Sequence, residues 1–146
     1  MSDDGERTVK SRGGMELVVR FVLVVLGLGT ASPVMALVAP GTLESSYGVD
    51  NPEPMVLVLL QHRGVLQAAL GAALVWAAFR PAVRVPVAIT AIFTKGIGLA
   101  LTVPNPVLRE TLSATTVVFD SVAIVLLALI AVRQAVGGRR DGPGRR

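Results

Sequence analysis

The chain contains no cysteine, which excludes disulfides, thiolate metal sites, cysteine nucleophiles and dithiol redox chemistry from it. Histidine is nearly absent too. His62 stands alone, with no second histidine or acid beside it at ligand spacing, so neither a metal site nor any other cofactor is expected. His62 is instead the candidate pH-responsive group. Charge is also scarce: 16% of the 146 residues are Asp, Glu, Lys or Arg, against about 25% in an ordinary soluble domain.

What is abundant is apolar: 52% of the residues are hydrophobic, and mean hydropathy is positive. That balance fits a small membrane protein. The formal charge of +4 does not point to nucleic acid, because the cations cluster at the chain ends and beside apolar runs and not along one amphipathic face.

Crossing a hydrocarbon layer about 30 Å thick takes roughly 20 apolar residues. Four segments meet that length: about Leu17 to Ala39, ended by Pro40-Gly41; Met55 to Phe79, ended by Arg80-Pro81; Val85 to Val103, ended by Pro104-Asn105-Pro106; and Leu112 to Val132, followed by Arg133. Lipid offers no partner for backbone N–H and C=O groups, so all four are expected to be helices. The sequence thus predicts an all-α fold, a four-transmembrane-helix bundle over 15–135. Polar, Gly-rich tails at 1–14 and 136–146 are expected to be disordered.

Arg7, Lys10, Arg12 and Arg20 flank the first span, Arg80 and Arg84 separate the second from the third, and Arg133, Arg139, Arg140, Arg145 and Arg146 follow the fourth. The opposite side has Glu44, Asp50 and Glu53 in a loop without Lys or Arg, and Arg109 beside Glu110. The positive-inside rule then places both termini in the cytoplasm of a multi-pass protein of the bacterial inner (plasma) membrane. The first segment is too long for the apolar part of a signal peptide, and its removal would leave three spans, inverting part of that charge pattern.

Three ionisable residues lie inside the spans. Lys95, Asp120 and Arg63 are each eight residues from the outer end of their segment, about 12 Å deep at 1.5 Å per residue. Thr30 falls at a similar depth, and Gln67 stacks one turn from Arg63. Because isolated charges are costly in a bilayer, the sequence predicts one inward cluster, with Asp120 accepting from Lys95, Arg63 or both, and Gln67 and Thr30 completing the hydrogen bonds. Two cations against one anion leave surplus positive potential that an anionic guest, or Glu53 or Glu44, would balance. A purely structural ionic network, fixing helix register without a ligand, is the competing expectation. Small residues at Gly27 and Ala31, and at Gly64, Ala68, Gly71 and Val75, form stripes suited to close helix crossings. GLGTAS in the first span lacks the strand and lysine of a phosphate loop.

The run SYGVDNPEP, followed by QHRGVLQAALGAALVWAAFRP with its Arg-Gly pair and later glycine, resembles small four-helix bacterial membrane proteins of the DoxX-like group over most of 15–135. The resemblance implies a compact four-helix bundle with cytoplasmic termini. Some members are associated with thiol or quinone redox work, whose thiol form this chain has no cysteine to perform. More distantly, the layout is similar to eukaryotic four-helix sterol-handling proteins with charged residues in a membrane cavity. Arg63 corresponds by position to the early arginine of the second helix, without a catalytic role.

The leading expectation is a non-enzymatic membrane protein whose buried polar site binds a lipid-like or small anionic ligand, or a partner membrane protein. The alternative is a proton- or ion-coupled transporter acting as a homo-oligomer, with Asp120 and His62 as proton sites. A membrane enzyme is third: Ser113, Thr116 and Asp120 share a helix face, but no base stands beside a nucleophile.

Overall fold

The structure, a computed structural model, describes residues 3–37, 52–106 and 114–140. Within them lie α1 (Asp3–Ala31), continued by a 3-10 segment (Ser32–Leu37), α2 (Pro54–Phe79), a short 3-10 turn (Pro81–Val83), α3 (Arg84–Thr102) and α4 (Ala114–Arg140). The described residues are helical with no strand, and four segments are long and apolar enough to cross a membrane: Gly13–Met35, Pro54–Phe79, Pro81–Thr102 and Ala114–Val136.

Two prolines set the ends of α1 and α2. Pro33 has no N–H to bond the Gly29 carbonyl four residues back. The Ser32 hydroxyl donates to that carbonyl instead, at 2.9 Å, and the chain tightens into the 3-10 segment. Likewise Pro81 leaves the Ala77 carbonyl without its helical donor, and α2 stops at Phe79. Pro86 sits in the first turn of α3, where its missing N–H would have no partner in any case.

The terminal regions differ from expectation. Helix α1 begins at Asp3 and α4 continues to Arg140, so most of 1–14 and part of 136–146 are helical. No proline interrupts residues 3–31 or 114–140. Extending an existing helix is far easier than starting one.

Helix α1 packs mainly on α2, and α3 on α4; the two pairs meet through α2 with α3 and α1 with α4. Along the first crossing the backbones nearly touch. A Cβ on Gly27 would fall 2.7 Å from the Gly71 carbonyl oxygen, and one on Gly71 would fall 2.9 Å from the Ala31 Cβ. Only the small-residue stripes allow that approach.

The buried apolar residues occupy one half of the bundle: Leu23 and Leu26 of α1, Leu74, Ala77 and Ala78 of α2, Ala88 and Ala91 of α3, and Ala123, Leu127 and Ile130 of α4. Phe21, Leu28, Phe93, Leu101 and Leu129 face outward. Large apolar side chains directed outward on every helix suit a lipid surround and would be a liability in water.

Candidate functional site

The buried face of α3 runs Arg84, Ala88, Ala91, Lys95, at the i, i+4, i+7, i+11 spacing that keeps residues on one side of a helix. It opens and closes with a charge. Each charge belongs to a polar layer, and the apolar core lies between the two layers, about 16 Å apart along the helix.

The upper layer centres on Lys95, whose Nζ donates to Asp120 Oδ1 of α4 at 2.5 Å. Lys95 is 7% exposed, and its ammonium lies 5.1 Å from the centre of the Phe119 ring, within cation–π range. Phe119 in turn packs on Gly29 of α1, where an added Cβ would meet the ring at 2.6 Å. That contact brings α1 to the level of the pair. The next residue, Thr30, is 1% exposed, and its hydroxyl has no hydrogen-bond partner among the described residues.

That hydroxyl is an exception. Thr90, Thr94, Thr102 and Ser121 each donate to a carbonyl of their own helix, at 2.7 to 3.1 Å, the usual solution in an apolar surround.

Arg63 is not drawn into the pair. It lies on an exposed position of α2 and has interactions of its own. The cause is helix rotation: neighbouring Gly64 is buried, and a Cβ there would fall 2.9 Å from the Pro33 carbonyl oxygen. Packing of Gly71 on α1 and of Gly64 on the 3-10 segment that continues it fixes the turn of α2, and Arg63, about 100° round from Gly64, is carried outward. The expected two-to-one cluster is therefore corrected to a one-to-one pair, and the surplus charge that would call for an anionic guest at this level is lost.

The remaining candidates also stand apart. Gln67 is half-buried, with no hydrogen bond to the pair, and Thr30 shares the level without bonding to it. His62 is exposed on α2. Glu53 is exposed at the start of α2, where its carbonyl accepts from the Leu57 N–H at 2.9 Å. Thr116 is half-buried one turn before Asp120, while Glu44, Asp50, Arg109, Glu110 and Ser113 lie outside the described residues.

The lower layer was not foreseen in the sequence. Arg84 is the largest fully buried side chain, at 1% exposure. Its Nε donates to the Ala77 carbonyl and its Nη2 to the Ala78 carbonyl, both at 3.0 Å, replacing the donor that Pro81 lacks. The same guanidinium grips Glu16 of α1 with both forks, Nη1 to Oε2 at 2.8 Å and Nη2 to Oε1 at 2.5 Å. Arg20 Nε adds a third bond to that carboxylate at 3.0 Å. One arginine thus ties α1, α2 and α3 together. Its signal in the sequence was the stripe from Arg84 to Lys95, together with a proline placed four residues after Ala77.

Comparison with family models, curated proteins and solved structures finds no match to this chain. The resemblance to the DoxX-like group rests on the sequence motifs alone.

Proposed function

We propose that this protein is a non-catalytic integral membrane protein that binds a lipid-like molecule with a small polar head at the level of Lys95, Asp120 and Thr30. It sits in the bacterial inner membrane with both termini in the cytoplasm. Arg80 and Arg133 at the end near the termini support that orientation; Arg84 counts for less, since Glu16 neutralises it.

The observation carrying the reading is a buried Thr30 hydroxyl, without a hydrogen-bond partner among the described residues, at the level of a buried ion pair. An unsatisfied hydroxyl costs about 1–3 kcal/mol in a protein interior, and an ion pair in an apolar span is held at a comparable disadvantage. Two such features at one level are better accounted for by a ligand than by packing. The pair is balanced in charge, so its guest needs no net charge. Lys95 has donors beyond the one given to Asp120, and Asp120 Oδ2 can still accept; a head that both donates and accepts, such as a hydroxyl, matches them. Space is available on the same side of α3: Gly98, one turn beyond Lys95, has nothing within 4 Å of where its Cβ would stand.

Native mass spectrometry of protein extracted with its own lipids tests this. The wild type is expected to carry a bound amphiphile that the doubly substituted Lys95→Met, Asp120→Asn protein, folded by circular dichroism, has lost. An unliganded wild type, or equal retention by the double variant, overturns the proposal.

A further inference from the structure

We infer that the cleft between α1 and α4 at the opposite, basic end of the bundle is a phosphate site, shaped for the headgroup phosphate of an anionic lipid. It is a half-open cavity of about 180 Å³, with Glu16, Arg84, Arg133 and Gln134 as its polar lining and Val19 and Ile130 among its apolar lining. The volume lies below the roughly 300 Å³ at which pockets begin to enclose a whole drug-sized molecule. It suits one compact group attached to something that stays outside.

The charge balance selects an anion. Glu16 is the one acid on the lining, and both of its carboxylate oxygens are taken, by Arg84 and Arg20. Against that single negative charge stand Arg20, Arg84 and Arg133. Arg133 is exposed and has no ion-pair partner among the described residues. The bonds to Ala77, Ala78 and Glu16 occupy four of the five guanidinium donors of Arg84. Arg133 and the Gln134 amide therefore supply the free donors, while the Glu16–Arg84 pair holds the wall in place.

Depth selects a lipid. Glu16, Arg84 and Arg133 each lie three residues inside the end of an apolar span, which is the level of lipid phosphates where the hydrocarbon layer gives way to headgroups. A phosphate bound there leaves its acyl chains to run along the outward apolar face of α1, which carries Leu17 and Phe21. This site is about 16 Å from the Lys95–Asp120 level and shares no residue with it, so either can fail without the other.

Binding is read by native mass spectrometry of the full chain released from nanodiscs of phosphatidylglycerol or phosphatidylcholine. Thermal unfolding in lipid-free detergent, with and without inorganic phosphate, forms a second arm. Phosphatidylglycerol is expected to be retained over phosphatidylcholine, with retention about tenfold lower in Arg133→Gln and unchanged in Arg80→Gln, which removes an exposed cation outside the cleft. Stabilisation by inorganic phosphate that Arg133→Gln abolishes would support the site and assign it to free phosphate. Equal retention of the two lipids with no phosphate effect overturns the inference. Equal losses in Arg80→Gln and Arg133→Gln overturn it as well, showing general surface charge in place of a site.

Discussion

Arg84 and Glu16 are joined by two hydrogen bonds, Nη1 to Oε2 and Nη2 to Oε1, although 68 residues separate them along the chain. Because Arg84 also holds carbonyls in the last turn of α2, the pair ties the middle of α1 to the end of α2 and the start of α3. Lysine at position 84 would bring one point charge to a site that uses a planar fork. Arg84→Lys is expected to cost about 2 kcal/mol, and Arg84→Met, which takes both donors from the buried Ala77 and Ala78 carbonyls and leaves Glu16 with Arg20 alone, about 3 kcal/mol. Unfolding of the detergent-solubilised protein measures both, and an Arg84→Lys variant as stable as wild type would contradict the fork.

The upper pair makes a different prediction, because both partners can be neutralised at once. Lys95→Met leaves Asp120 alone in an apolar span, and Asp120→Asn leaves Lys95 alone; each is expected to lower stability by about 3 kcal/mol. Removing both charges together should cost far less than the sum. A double-mutant cycle on folded yield and unfolding reports that coupling. Single variants that behave as wild type would show that the pair carries no weight.

Reading depth from the sequence put Lys95, Asp120 and Arg63 at one level; Lys95 and Asp120 pair, while Arg63 stands at an exposed position, for one physical reason. Residue number fixes height along a helix at once, whereas rotation about the axis is set by whatever packs most closely. For α2 that is Gly64 and Gly71 against Pro33, Gly27 and Ala31, and the same stripes were visible in the sequence as small residues. The four spans were legible because apolar length alone decides them. Arg84 was read as a cation marking one side of the membrane, since loop arginines usually act that way. Its structural use follows from the proline at 81, which leaves a carbonyl that only a side chain can reach. The helical stretches within the tails were missed because composition registers polarity, while helix extension from a stable span depends on the absence of proline.

Glycines offer a contrast within one bundle. Alanine at position 71 would set its Cβ 2.9 Å from the Ala31 Cβ and 3.0 Å from the Ala31 nitrogen, so α1 and α2 must separate. Gly71→Ala is expected to destabilise by about 1–3 kcal/mol. At Gly98 the space is open, and Gly98→Ala should stabilise by about 0.8–1.0 kcal/mol through helix propensity. Thermal melts of the two variants side by side decide the matter. Matching shifts would mean that the close crossing of α1 and α2 does not constrain the fold.

Thr30 yields the prediction that separates a buried hydroxyl in need of a ligand from one that is merely tolerated. Valine has nearly the same shape and removes the hydroxyl. In detergent stripped of lipid, Thr30→Val should therefore stabilise the protein by about 1 kcal/mol, whereas Thr30→Ser, which keeps the hydroxyl and loses a packed methyl, should destabilise it by about 1 kcal/mol. In protein extracted with its native lipids the order of ligand retention should reverse, with serine holding the amphiphile and valine releasing it. Stability and retention moving in opposite directions at one residue is the signature of a group kept for binding at the expense of packing. If valine lowers stability in the stripped protein, the hydroxyl already has a partner within the fold, and Thr30 ceases to argue for a ligand at all.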